Sequence, residues 1–189
     1  TGGLGYIGTE LCKLYSGVSW HHKIKVIDKR FISERVNQIR NWNMEFIQGD
    51  ILDKSLIDEH FKDADIVHHL AGITDVPRTK NEASNIQDAK IKEVGEIGTQ
   101  NILDVINDKC KIIFPSTHVV YEGLNEVKKD IKEDEITKPV LSYSSSKAVN
   151  EEQLKKSGKN YVILRLGSVY GYSTDSMRID IMPNLFSKI

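Results

Sequence analysis

The chain is 189 residues long, 39% hydrophobic and 28% charged, with a net charge of −1, the profile of one ordinary globular domain with material for a core. That balance leaves no basic field to hold nucleic acid or anionic lipid, and no apolar run approaches a membrane span or a signal peptide. Cys12 and Cys110 stand alone and the histidines pair only at His21-His22 and His68-His69, so no metal site or disulfide framework is expected and a reducing cytoplasm is the simplest setting.

Thr1-Gly2-Gly3-Leu4-Gly5-Tyr6-Ile7-Gly8 has the glycine spacing of a dinucleotide-binding loop. Glycine turns sharply at little cost, and the bare backbone of Gly2, Gly5, Tyr6 and Ile7 is placed to meet a pyrophosphate at the positive end of the following helix. Gly8 lets that helix lie close to a sheet. Leu11, Leu14 and Tyr15 give the helix its apolar period. Such a loop normally follows a short apolar strand, and none stands before Thr1. The expectation is a piece of a longer protein that lacks its first strand, poorly stable and inactive unless the rest is supplied.

The strand-like run Ile24–Ile27 ends in Asp28, twenty residues beyond Gly8. An acid there binds the ribose hydroxyls of an adenosine and repels a 2′-phosphate, which favours NAD over NADP, although Lys29 and Arg30 follow at once. Further apolar runs at Met44–Ile47, Ile66–Leu70, Ile112–Phe114 and Tyr161–Leu166 alternate with polar or amphipathic stretches, notably 82–107 and 143–157. Strands too apolar to be half-exposed, alternating with helices, predict an α/β, Rossmann-like doubly wound parallel sheet with helices on both faces. The Lys- and Glu-rich stretch 122–138 predicts a solvated loop, ended by Pro139. Ligands of such sheets sit outside the carboxyl ends of the strands, which here present Asp28, Gly49-Asp50-Ile51, His69-Leu70-Ala71-Gly72 and Ser116-Thr117.

Tyr143 and Lys147 stand four residues apart, one turn on one helix face. A phenol is a poor base at its free pKa of about 10. A nearby ammonium and an oxidised nicotinamide both favour the phenolate, and Thr117 supplies a hydroxyl to orient a substrate alcohol. His118 offers an imidazole beside it, but its neighbours Val119 and Val120 suggest a residue packed at a strand exit.

Taken together, TGGLGYIG at the start, VID at Asp28, GDI at Asp50, HLAG at Ala71, GTQN from Gly98, STHVVY at Thr117, YSSSK at Tyr143 and LRLGSVYG from Leu164 resemble the extended short-chain dehydrogenase/reductases, in their NAD-dependent nucleotide-sugar epimerase/dehydratase branch. The resemblance implies a Rossmann domain over 1–171 with tightly bound NAD, and a truncated substrate lobe that begins at 172–189, where Met182–Phe186 starts a helix. It implies Asp50 and Ile51 near the adenine, Leu70, Ala71 and Gly72 along the cofactor, and a catalytic Thr117, Tyr143 and Lys147, with Lys147 also on the nicotinamide ribose. Family members often pair through a four-helix bundle, for which 82–107 and 143–157 are the candidates.

Some positions depart from the family. Gly95 replaces an Asn three residues before the Gly-Thr pair, and Gly167 and Ser168 stand where an aromatic residue and a substrate-binding Asn follow Leu-Arg. The 4,6-dehydratases carry Asp and Glu after the catalytic Thr, where this chain has His118 and Val119. Elimination of a hydroxyl needs that acid–base pair, so an epimerase is the leading expectation, with Ser168 among the substrate contacts. The alternatives are an oxidoreductase that exchanges NAD(H) with solution and a non-catalytic NAD-binding protein of the same fold.

Overall fold

The computed structural model describes residues 1–18, 23–74, 85–173 and 182–187. After the glycine loop come α1 (Tyr6–Ser16), β1 (Lys25–Asp28), α2 (Ser33–Asn41), β2 (Glu45–Gln48), α3 (Lys54–Phe61) and β3 (Ile66–His68). Then follow α4 (Asn85–Lys92), α5 (Gly98–Val105), β4 (Lys111–Thr117), α6 (Ser142–Lys156), β5 (Asn160–Leu166) and the short α7 (Met182–Phe186).

All strand pairings are parallel: β1 with β2 in one sheet, and β3-β4-β5 in another. The segment Thr1–Gly3 runs between the two sheets. Gly3 N donates to Ile27 O at 3.4 Å on one side, while Thr1 N donates to His68 O at 2.8 Å and Leu70 N to Thr1 O at 3.2 Å on the other.

Adjacent residues of a strand face opposite ways, and β1 divides accordingly. Val26 joins Leu4, Cys12, Val36, Ile39 and Met44 in a cluster with α1 and α2. Ile27 joins Ile57, Phe61, Val67, Ile102, Ile112, Phe114 and Leu154 in a larger cluster with α3, α5 and α6. Helices therefore cover both faces, as the alternating pattern predicts.

The observed strands shift the expected ones by a few residues. β3 stops at His68 rather than Leu70, although His69 N still donates to Ile113 O at 3.0 Å, and β4 extends past the apolar run to Thr117. The expected helix 82–107 is described from Asn85 onward and is broken by a π turn at Glu93–Ile97. A Cβ on Gly95 would stand 2.3 Å from Ser146 Oγ, and Asn150 Nδ2 donates to Gly95 O at 3.0 Å. Close approach of α6 thus explains why an extra residue is accommodated there. The stretch 122–138 is turn and loop, as expected. His21 and His22 lie outside the described residues, and no cluster able to hold a metal ion occurs among the described ones. No described helix is long and apolar enough to cross a membrane.

Candidate active site

The glycine loop leads into α1 with Gly5 as the residue before the first turn. Gly2 has φ +66°, and a Cβ there would lie 2.7 Å from Ala71 N. A Cβ on Gly8 would lie 2.4 Å from Gly2 O. Both positions need glycine because backbone passes against backbone. The first-turn N–H groups of α1, those of Tyr6 and Ile7 among them, face the open N-terminal end of the helix. Ile7 is partly exposed, and the Tyr6 hydroxyl is turned away to donate to Gly171 O at 2.5 Å.

Asp28 is buried at the end of β1 and its carboxylate is fully occupied. Oδ2 accepts from Leu4 N at 3.0 Å and Arg30 Nη2 at 3.4 Å, and Oδ1 from Arg30 N at 2.9 Å and Arg30 Nε at 3.2 Å. The acid thus clamps the glycine loop and holds Arg30, one of the two cations that follow it directly in sequence. Lys29 turns instead to Asp50, 2.6 Å away. Burial works against the Asp50 charge, but the bonds from Lys29 and Leu52 N hold its carboxyl below the ordinary value. The Ile51 side chain lies in the core, and its carbonyl accepts from Asn101 Nδ2 at 3.0 Å.

After β3 the chain runs beside the glycine loop. Ala71 N donates to Thr1 Oγ1 at 3.1 Å, and the space around Gly72 is open. His69 is no ligand candidate. It is buried, with its ring nitrogens 2.9 Å from Thr1 Oγ1 and 3.0 Å from Thr99 Oγ1, and burial holds its pKa well below the usual histidine value. His68 packs against Tyr15, whose hydroxyl lies 2.8 Å from its Nε2. Both histidines of that pair are structural.

The chemical groups gather at the carboxyl end of β4. Lys147 reaches from α6 to donate to Pro115 O at 2.8 Å, two residues before Thr117. Its ammonium lies 4.3 Å from the centre of the Phe114 ring and 6.0 Å from that of Tyr143. Burial pushes the Lys147 pKa down to about 8, opposed by the carboxylate of Glu151. Thr117 is buried, and its hydroxyl caps the 3₁₀ turn His118–Tyr121 by accepting from Val119 N at 3.3 Å. His118 is exposed rather than packed, but its Nδ1 lies 3.2 Å from Leu166 O at the end of β5. Ser168, just beyond β5, is exposed.

Two further groups shape this end of the sheet without having been singled out in the sequence. Glu122 Oε1 accepts from Val140 N at 2.8 Å and Leu141 N at 2.7 Å, and from the Ser144 hydroxyl, which anchors the start of α6. Glu151 is buried and paired with Arg165 at 2.6 Å. Only the second carried a local signal, an acid four residues after Lys147.

Residues 1–189 match the profile of the NAD dependent epimerase/dehydratase family. The chain is 32% identical over 192 residues to a dTDP-D-glucose 4,6-dehydratase of Dictyostelium discoideum, covering 90% of this chain and 43% of that protein. It is 28% identical over 183 residues to a UDP-glucose 4-epimerase of Azospirillum brasilense, covering 90% of this chain and 48% of the relative. The chain thus spans less than half the length of these curated relatives. Among solved structures, a UDP-glucuronic acid 4-epimerase from Bacillus cereus in complex with NAD superposes with a TM-score of 0.76 at 26% identity, over 97% of this chain and 59% of that one.

Proposed function

The chain belongs to the NAD dependent epimerase/dehydratase family, and from that premise we propose that the protein is an NAD-dependent nucleotide-sugar epimerase, working by transient oxidation of a sugar carbinol and re-reduction of the ketone. The observation that carries this reading is that Lys147 reaches from α6 to Pro115 O, two residues before Thr117 at the carboxyl end of β4, with its ammonium 6.0 Å from the centre of the Tyr143 ring. The residues present suit NAD. The loop offers a side-chain-free cradle at a helix N-terminus where Gly2, Gly5, Tyr6 and Ile7 would hold the pyrophosphate. Asp28 would take the adenosine ribose, Asp50 and Ile51 would flank the adenine, and Leu70, Ala71 and Gly72 would lie along the cofactor.

When bound, NAD supplies the hydride acceptor and, in the return step, the donor. The chain's own groups handle the proton. Lys147 supplies the positive charge that favours ionisation of Tyr143, and its ammonium would also hold the nicotinamide ribose. Thr117 orients the sugar hydroxyl while Tyr143 Oη removes its proton as general base, and Tyr143 returns that proton once the ketone has presented its other face. Ser168 is proposed to contact the sugar. A dehydratase would need a carboxylate pair beside Thr117 to expel a hydroxyl, and positions 118 and 119 hold His and Val.

Residues 172–189 are proposed to begin a substrate lobe, and a cytoplasmic setting accords with this metabolism. Exposed Ile86, Ile97 and Val149 on the 85–105 helical segment and α6 support self-association through those helices, with solution molecular mass as the test.

The deciding experiment incubates the full-length protein with UDP-glucose and UDP-glucuronic acid, without added NAD. The epimerase reading expects conversion with no net change in nicotinamide absorbance, and steady accumulation of NADH would establish an oxidoreductase instead. Tyr143→Phe should lower turnover by on the order of a hundredfold or more and leave NAD binding intact. Turnover indifferent to Tyr143 would remove the catalytic role.

A further inference from the structure

Tyr143, Lys147 and Glu151 recur every four residues along α6 and so share one face. The first two have work in the proposed chemistry, and Glu151 has none. Yet Glu151 is only 1% exposed and its carboxylate is fully bound. It accepts from Ser116 Oγ at 2.5 Å, and from Arg165 Nε at 3.0 Å and Nη2 at 2.6 Å. Ser116 directly precedes Thr117 on β4, and Arg165 is the second-last residue of β5. Arg165 Nη1 reaches on to Tyr121 Oη, at the end of the 3₁₀ turn that Thr117 caps, and to Glu133 O at 2.9 Å.

Stability does not account for such an arrangement well, because desolvation offsets most of the attraction in a buried ion pair. The surroundings of Lys147 supply another reason. From β4 it meets the Phe114 ring and the Pro115 carbonyl, and the nearby imidazole of His69 is kept neutral by burial. From β5, Arg165 is already neutralised by its carboxylate partner. Glu151 provides the negative charge that opposes the desolvation of Lys147.

We propose that Glu151 is a positioning residue that locks α6 onto the carboxyl ends of β4 and β5 and keeps Lys147 in its ammonium form. The proposal rests on the epimerase reading for its catalytic consequence, but not for its electrostatic one.

The test is therefore double. In the full-length protein, the ammonium of Lys147, assigned with Lys147→Met, is titrated by nitrogen NMR, and the pH profile of kcat/KM is measured alongside with UDP-glucose or UDP-glucuronic acid. Glu151→Gln should lower the Lys147 midpoint by roughly one pH unit and move the alkaline limb of the profile by the same amount. Ser116→Ala removes a hydrogen bond but no charge, and should leave both midpoints in place. Where Glu151→Gln fails to fold because Arg165 is left buried and unpaired, the double variant Glu151→Gln/Arg165→Met removes that charge too. It should still show a lowered Lys147 midpoint, because Glu151 stands one helical turn from Lys147, but by less than Glu151→Gln alone, since loss of the Arg165 cation acts in the opposite direction. An unmoved midpoint in a folded variant overturns the proposal. A moved midpoint in a protein without Tyr143-dependent turnover sustains it and overturns the epimerase reading instead.

Discussion

At the scale of single residues, the most consequential finding is that Asp28 is not free to receive a ligand as it stands. An ionised carboxylate accepts about four hydrogen bonds, and Leu4 N and Arg30 already provide that many. Leu4 N belongs to the glycine loop and cannot leave without distorting it. The Arg30 guanidinium is more than half exposed while the Asp28 carboxylate is buried. A ribose hydroxyl can therefore take the place of the guanidinium, which is free to turn out to water, and keep the buried carboxylate bonded. The expected outcome is that Arg30→Ala binds NAD at least as tightly as the parent, whereas Asp28→Asn loses roughly tenfold or more in affinity, the scale of one charge-assisted hydrogen bond. Calorimetry of both variants decides it. A tenfold loss in Arg30→Ala would make the guanidinium, not the carboxylate, the ligand contact. Gly2→Ala belongs to the same scale. With φ at +66° and a Cβ 2.7 Å from Ala71 N, it should cost about 1–3 kcal/mol of stability, read as a lowered unfolding midpoint.

At the scale of elements, α6 is the piece on which the chemistry depends, and its placement comes from outside itself. Its first turn is anchored by Glu122, twenty-two residues before Ser144, and its middle by Ser116 and Arg165. Burial disfavours the Glu122 charge, but the hydrogen bonds from Ser144, Leu141 N and Val140 N outweigh it and depress the pKa. An acid whose pKa is depressed by folding stabilises the fold above its unfolded value of 4.5, and that contribution is lost as pH falls through the lower folded value. Glu122→Ala should thus cost about 1 kcal/mol near neutral pH, and the difference from the parent should shrink below pH 4.5. A difference that is constant with pH would detach Glu122 from the helix start. This anchoring also marks how far the sequence could be read. The four-residue spacing of Tyr143 and Lys147 pointed to α6, and apolar runs pointed to the strands, because both signals are local. Glu122 and Arg165 act across long chain separations, so a charge-rich loop read as mere solvated surface concealed the cap. The π turn at Glu93–Ile97 was hidden likewise, since Gly95 is fitted to a helix more than fifty residues away.

At the scale of the whole molecule, the proposed cofactor site draws on the carboxyl ends of strands from both sheets, the side on which doubly wound folds bind their ligands. Gly2, Gly5 and Asp28 come from the side of β1, and Leu70, Ala71 and Gly72 from the side of β3. Thr1 stitches the sides together through its hydroxyl, which lies 2.9 Å from His69 Nδ1 and accepts from Ala71 N at 3.1 Å. Thr1→Val keeps the shape but leaves the buried His69 nitrogen and the Ala71 N–H without that partner, which should cost about 1–3 kcal/mol. A second signature lies in pH. Burial lowers the His69 pKa well below its unfolded value of 6.5, so the native state resists protonation that the unfolded chain accepts. The stabilisation is full above 6.5 and declines as pH falls below it. NAD, by bridging the two sides, should raise stability by about 2.7 kcal/mol at a hundred times its Kd. Amides of β1 and β3 should gain hydrogen-exchange protection together when NAD is added to the full-length protein, and Thr1→Val should lower the protection of both. Protection that rises in β1 alone would confine the ligand to the glycine loop and its own sheet.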